Sequence, residues 1–396
     1  MKFNKWTVGL AAAGIVTLPS LTRAADANMV QTMAAGTTLS GYVDVAAQWN
    51  LGTGNANNPV YGFNATGAGS KADGFNLNVV DLVLDKPLDE TPWAAGYHVE
   101  LGFGPDAGTL GTDSTFLNAG DIGVRQAYVA LRTPLLGSNG IDWKIGVFDT
   151  IIGYESTSGP NNPNYTRSYG YTSEPTTHEG ILGTYKICDV ASVTLGVANT
   201  FGPQIGSRHP TKEDTKVWMA SLALTAPKNW GWMADSSLSA GVINGFSAAV
   251  PNGGGAAGNG NLTHYYVGMT LATPVTGLKA GAAVDYRHIH DTAVKDDAWV
   301  YGVYASFQAT EKLSLHLRGE YVDDKAGLFA PAGSGITQER VFELTYTVQY
   351  DLWKNVLSRA EVRWDHASNG PLYGPIAGAP TLRNAVMFAA NVVYKF

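Results

Sequence analysis

From residue 38 onward the chain counts in twos. Leu39, Gly41, Val43, Val45, Ala47, Trp49 and Leu51 alternate with Ser40, Tyr42, Asp44, Ala46, Gln48 and Asn50. Successive residues of a strand point to opposite sides of a sheet, so this segment predicts a strand with one apolar and one polar face. The same period predicts strands over 75–86, 94–104, 122–133, 141–149, 177–187, 191–200, 216–226, 237–245, 262–273, 278–288, 298–309, 312–323, 340–351, 356–366 and 384–396, sixteen in all. Alternation is clean where Leu313, Leu315, Leu317 and Tyr321 face Ser314, His316, Arg318 and Glu320 across the pleat. It is as clean where Ala360, Val362 and Trp364 interleave with Arg359, Glu361, Arg363 and Asp365. In 75–86 the apolar face changes sides at Val79-Val80, which predicts a β-bulge at that point.

The spacing between strands carries a second pattern. Connections after even-numbered strands are short (87–93, 134–140, 188–190, 227–236, 274–277, 310–311 and 353–355). Those after odd-numbered strands are mostly long (52–74, 105–121, 150–176, 201–215, 246–261, 289–297, 324–339 and 367–383). A soluble sandwich has no reason to alternate in this way. A transmembrane barrel does, with tight periplasmic turns on one rim and long outer loops on the other. The fold class that follows is an all-β, antiparallel, up-and-down transmembrane barrel of about sixteen strands, within a range of fourteen to eighteen. Trp49, Trp93, Trp143, Trp218, Trp299, Trp353 and Trp364 fall near predicted strand ends, where interfacial aromatic girdles sit. Val386, Phe388, Ala390, Val392, Tyr394 and Phe396 share one face of the last segment. A final strand ending in this way resembles the assembly signal of bacterial outer-membrane proteins, with Tyr394 and Phe396 as its aromatic residues.

About eight strands fill their own interior, whereas sixteen leave room for an aqueous channel. The polar faces carry Asp44, Glu100, Lys279, Asp285, Arg287, Arg318, Glu320, Glu343, Arg359, Glu361 and Arg363. So many charges in a dry core would be costly, which argues for water on that side. Acids and bases nearly balance, so the list sets no ion preference. The longest loop, 150–176, follows the fifth strand and mixes Pro and Gly with Tyr and Arg. Loops of this length usually carry function. The expectation is that it folds into the barrel as a constriction. Glu155, Tyr165, Arg167, Tyr169 and Glu174 would then face a lumen wall of Arg318, Glu320, Glu343, Arg359, Glu361 and Arg363. Opposed charges across a narrow passage filter ions.

Composition narrows the alternatives. Charged residues make up 15% of the 396, well below the roughly 25% of an average soluble protein. A formal charge of −7 argues against nucleic acid as a partner. Cys188 is the only cysteine, which excludes a disulfide scaffold. Lys2 and Lys5 followed by the apolar stretch 6–18 and Thr22-Arg23-Ala24 read as a secretory signal peptide over 1–24, with a second cleavage candidate after Ala27. Residues 25–37 then form a short periplasmic segment, and 38–396 the barrel. No phosphate loop, HExxH or CxxC occurs, and no cofactor is expected. His288 and His290 beside Asp291 have a spacing that zinc accepts, but a solvated rim pair is the expectation and no metal is assigned. His366 beside Asp365, or His178 beside Glu179, lacks a nucleophile, so no catalytic residue is assigned and the reading is not of an enzyme.

Phe148-Asp149-Thr150, Gly153-Tyr154-Glu155, Pro163-Asn164-Tyr165, Arg167-Ser168-Tyr169 and Thr177-His178-Glu179-Gly180 together resemble the putative beta-barrel porin-2 family of Gram-negative outer membranes. Upstream, Asn78 to Pro87 and Gln126-Ala127-Tyr128-Val129 are similar to the same family, and the resemblance runs over essentially the whole chain after the signal. Where the family has Gly-Lys-Phe at the end of the fifth strand this chain has Gly146-Val147-Phe148, and Ile151-Ile152 stands where a Pro is common. The resemblance implies an outer-membrane porin for passive diffusion of small hydrophilic solutes and ions. It also implies the bilayer, lipopolysaccharide and the outer-membrane assembly machinery as partners, and by analogy with other sixteen-stranded porins a homotrimer. An adhesin or structural barrel is the alternative, and a rim-active outer-membrane hydrolase a more distant one.

Overall fold

The computed structural model describes residues 30–31, 36–54, 58–59, 72–109, 113–114, 122–137, 139–202, 204–209, 214–247, 261–290, 297–329, 338–374 and 379–396. The expected signal peptide, most of the segment that follows it, and Asp291 lie outside these residues. Sixteen strands form the body: β1 (Thr38–Leu51), β2 (Gly74–Lys86), β3 (Ala95–Phe103), β4 (Ile122–Thr133), β5 (Ile141–Asp149), β6 (Thr177–Lys186), β7 (Ala191–Ala198) and β8 (Val217–Thr225), then β9 (Ser237–Phe246), β10 (Asn261–Ala272), β11 (Leu278–Ile289), β12 (Asp297–Gln308), β13 (Leu313–Asp324), β14 (Glu339–Trp353), β15 (Val356–Ala367) and β16 (Asn384–Lys395). Each pairs antiparallel with the next in sequence, and β16 returns to pair with β1. The ring is closed, so every strand finds ladder partners on both sides, which a membrane-spanning sheet requires.

Burial is inverted relative to a soluble protein. On β13 the side chain of Leu317 is 44% exposed while its neighbour Arg318 is 0% exposed. Val303, Leu344, Tyr346 and Val362 are likewise exposed, and Glu343, Glu361 and Arg363 buried. The apolar face of the alternation therefore points outward and the charged face inward. Aromatic side chains gather at both edges of the outer band. On the long-loop side Trp299 stacks on Tyr286 at 4.2 Å, and Tyr321 packs against Phe342 at 4.8 Å. On the short-turn side Trp93, Trp230, Trp232 and Trp353 stand exposed.

The seam between the two ends of the sheet is tightly made. Gly41 and Phe396 exchange backbone hydrogen bonds of 3.1 and 3.0 Å. A Cβ on Gly41 would lie 2.8 Å from the Phe396 ring and 2.1 Å from the Asp81 carbonyl oxygen, so only glycine lets these chains close up. The register between β1 and β2 shifts between Asp44 and Val45, which leaves Asn78 as the extra residue. The bulge thus precedes Val79-Val80 by one position. Asn78 and Val79 are buried together there, which is why the sequence alternation breaks just after the bulge rather than at it.

Candidate functional site

The 150–176 connection leaves β5 and returns to β6, with its base tied by Thr150 N–H donating to the Thr176 carbonyl at 3.0 Å. Gly153 turns the chain at a φ of 119°, which favours glycine. Asn162 braces the next segment: its Oδ1 accepts from Ser156 N at 2.7 Å and its Nδ2 donates to the Ser158 carbonyl at 3.2 Å. A one-turn helix follows, α1 (Tyr169–Ser173), capped by Ser168 Oγ, which accepts from Tyr171 N at 2.9 Å. These local devices give the loop a defined shape before it meets the wall.

Two anchors hold it inside the barrel. Near the root, Ile151 and Ile152 join Phe148, Leu182, Met219, Ile243, Tyr266 and Tyr304 in one buried apolar cluster drawn from the inner faces of β5 to β12. Tyr154 stacks on Tyr304 at 3.9 Å, over Gly281, where a Cβ would lie 1.9 Å from the Tyr154 hydroxyl. The second anchor lies on the far wall. Arg318 on β13 donates to Glu155 Oε1 and to the Thr166 carbonyl, both at 2.8 Å. Glu361 on β15 accepts from Tyr165 N at 2.6 Å and Thr166 N at 2.9 Å. Glu320 accepts from Tyr169 N at 2.9 Å and Gly170 N at 3.1 Å. Arg359 donates to the Asn162 carbonyl at 2.6 Å, and Arg363 to the Arg167 carbonyl at 2.7 Å. In the order of the ring, β13 stands eight strands from β5 whichever way the strands are counted. The loop therefore crosses the lumen to the opposite side.

The wall charges divide by sign. Arginines take loop carbonyls, and carboxylates take loop amide hydrogens. A loop buried away from water must have its backbone groups paired, and charged partners make the stronger hydrogen bonds. Glu155, Tyr165, Arg167 and Tyr169 do come together with Arg318, Arg359 and Arg363, as the sequence predicts, but all seven are buried. Their role differs from the expected one of facing each other across an open gap: they fasten the loop to the wall. Glu343 completes the network at 3.2 Å from Arg318, and Tyr169 donates to Asp365 at 2.9 Å.

Glu174 departs from the expectation. It caps the C-terminal end of α1 and faces Asp285 on β11 rather than the arginine wall. Cβ atoms on Gly153 and Gly170 would meet the Glu174 and Asp285 carboxyls at 2.5 and 2.9 Å, so both glycines clear space for this pair. Burial, reinforced by the Asp285 carboxylate, holds the Glu174 carboxyl well above the usual range.

Another inward group lies on β2 to β5, and of its members only Glu100 stands among the lumen charges expected from the sequence. His98 Nδ1 lies 2.9 Å from Asp85, Arg125 Nε 3.3 Å from Glu100, and Lys144 Nζ 4.8 Å from the centre of the Tyr128 ring. Asp85, His98, Tyr128 and Lys144 keep part of their surface accessible. The alternation of 94–104 and 141–149 contained the signal, since His98 and Lys144 occupy the polar phase. Elsewhere, His288 bonds Asp297 at 2.6 Å and His290 bonds Thr263 at 2.7 Å. Among the described residues no group of three or more His, Cys, Asp and Glu is arranged to hold a metal ion.

A family model described as putative beta-barrel porin-2, OmpL-like, matches residues 36–396. No curated protein sequence matches the chain. Among solved structures it is similar to outer-membrane expressed OmpT of Vibrio cholerae at 14% identity, covering 93% of this chain and 100% of that one with a TM-score of 0.57. The outer membrane channel DcaP of Acinetobacter baumannii is similar at 15% identity, 92% and 99% coverage and a TM-score of 0.57. Salmonella typhi OmpF, in complex with daunomycin, is similar at 12% identity, 93% and 100% coverage and the same TM-score. At these identities the likeness is one of fold.

Proposed function

The chain belongs to the putative beta-barrel porin-2, OmpL-like family, and from that premise we propose that it is a passive diffusion channel of the bacterial outer membrane. Small hydrophilic solutes and ions cross down their gradients through the part of the lumen that loop 150–176 leaves open. The observation that carries this reading is the bonding of the loop backbone to Arg318, Glu320, Arg359, Glu361 and Arg363 on the far wall. With that side filled and the β6–β12 side occupied by the apolar cluster, the passage runs along β2 to β5. His98, Lys144 and Asp85 are the groups a solute meets there.

Other parts of the reading rest on the N-terminal sequence pattern and on the same membership. A cleaved signal peptide over 1–24 delivers the chain to the periplasm. Tyr394 and Phe396 are read by the assembly machinery, and the finished barrel sits in the bilayer beside lipopolysaccharide. A homotrimer is the expected assembly, as in the trimer form of the Vibrio cholerae protein. No catalysis is part of the proposal. Deletion of residues 156–172 tests the constriction in planar bilayers: the single-channel conductance should rise. An unchanged conductance would refute it, and a complete lack of channels in the parent protein would favour an adhesin or structural barrel.

A further inference from the structure

Most cations of the inner face are spent. Arg318 and Arg363 hold carboxylates at 2.8 Å, and Arg359 donates to the Asn162 carbonyl at 2.6 Å. Lys144 is different. Its ammonium lies 4.8 Å from the centre of the Tyr128 ring on the neighbouring strand. That ring packs against the buried cluster that holds Phe148 and Leu182, which places both groups on the inner side of the wall. Among the described residues Lys144 makes no hydrogen bond and no ion pair, and the Tyr128 hydroxyl has no hydrogen-bond partner either. Neither atom is among the polar atoms buried without a partner, and both residues keep part of their surface accessible, so these two donors are open to water.

The acids of the same sector are engaged or out of reach. Asp142, two residues from Lys144 on the same strand face, holds Arg132 through bonds of 2.6 and 2.8 Å. Asp85 lies 2.9 Å from His98 Nδ1, and the His98 ring stacks on Tyr128 at 5.3 Å. Glu100 accepts from Gln126 Nε2 at 2.8 Å and lies 3.3 Å from Arg125 Nε. Both carboxylate oxygens of Asp81 and Oδ1 of Asp149 lack hydrogen-bond partners, but these atoms are closed to water, so a solute moving along the wall does not touch them. What it does touch is one ammonium and one phenol hydroxyl with their donor capacity unused. Donors in that state gain most from an anionic acceptor, because charge-assisted hydrogen bonds are the strong ones.

We propose that Lys144 and Tyr128 form a recognition site for small organic carboxylates inside the channel, with the carboxylate held by the Lys144 ammonium and the Tyr128 hydroxyl. One cation and one neutral donor suit a single negative charge. A phosphate monoester, with about −1.5 to −2 charge and three acceptor oxygens, calls for more donors than these two supply. An organic ammonium ion finds the reverse: the accessible carboxylates Asp85 and Asp142 already have partners. This names the solute class for the passage along β2 to β5, and it rests on the channel reading.

The test uses the full chain in planar bilayers carrying potassium chloride current at neutral pH, with sodium butyrate as the probe and butyramide as its neutral analogue. Saturable reduction of the current by butyrate and none by butyramide is expected. Lys144→Met should raise the half-blocking concentration about tenfold, the share of one hydrogen bond to a charged group. Tyr128→Phe, which keeps the ring beneath the ammonium, should raise it by a smaller factor, and Lys144→Arg should retain most of the block. The comparison of butyrate with butyramide needs only the parent protein, so it decides the matter even if a variant fails to assemble. A parent that conducts chloride but is indifferent to butyrate would overturn the carboxylate site and leave the channel reading intact, whereas a parent with no current would remove both. Equal block of the parent and Lys144→Met, or block by n-butylammonium chloride in place of butyrate, would also overturn the site.

Discussion

Arg318 and Glu155 meet at 2.8 Å with both side chains fully buried, although 163 residues separate them in sequence. One sits in the middle of a strand, and the other in a loop that starts on the opposite side of the ring. Their contact fixes where the loop ends up. Arg318→Ala leaves Glu155, Glu320 and Glu343 without their shared cation, and removal of one member of a buried ion pair typically costs about 3–5 kcal/mol. The temperature at which the folded barrel converts to the unfolded band on a gel should fall clearly. Glu155→Gln should cost less, because the amide oxygen can still accept from Ser168 N, a bond of 2.9 Å in the parent.

Glu361 gathers backbone and hydroxyl donors from Tyr165 and Thr166, together with the Thr347 hydroxyl. Truncation to Ala strands those donors in a buried setting, at about 1–3 kcal/mol for each unsatisfied group. The loop should open locally. Arg167, buried in the parent, then becomes a trypsin site, and cleavage after it, read by mass spectrometry, is the expected result. Persistent resistance in Glu361→Ala would show that the far-wall anchor does not depend on this carboxylate.

Glu174 makes stability depend on pH in a known direction. Its carboxyl is held above the ordinary range by burial and by Asp285, so the folded state prefers it protonated. A raised carboxyl favours folding most at low pH, and that advantage is lost as pH climbs from the unfolded value toward the folded one. Heat stability should therefore decline across the range above the normal glutamate pKa of about 4.3. Glu174→Gln should flatten that decline. A variant with the parent's full slope would assign the dependence to other groups.

Lys144 has the same phase on β5 as Phe148, which is buried inside, and its register partner on β6 is Leu182, also buried inside. If solutes pass along β2 to β5, Lys144→Glu reverses a charge on the path. The reversal potential in a salt gradient should move toward cation preference. The same substitution on a wall that solutes never touch would leave it unchanged.

The barrel was legible because a two-residue period needs only neighbours to be read. Leu317 and Arg318 declare their faces without reference to any distant residue, and the predicted strand limits agree with the observed ones to within a residue or two. Even the bulge was visible, displaced by one position to Asn78, because burial of Val79 beside it hid where the phase changed. The inward course of loop 150–176 could be anticipated from its length, but the job of its charges could not. Arg359 or Glu361 has the same alternation whether it faces water or the backbone of a loop about 200 residues upstream. Nothing local distinguishes a filter from a fastening. The β2–β5 group went largely unremarked for the converse reason: His98 beside Glu100, and Lys144 beside Asp142, look like any other polar phase, and only the filling of the other sectors makes them prominent.

The seam has a consequence for biogenesis. Because β16 is the partner of β1, the sheet keeps two raw edges until the final strand arrives, however well the first fifteen have paired. A polypeptide interrupted before residue 384 would carry a greasy exterior and an open ladder at once, a combination that invites edge-to-edge clumping. Closure of the ring therefore waits on the last residues to be made, and no earlier stretch can substitute for them.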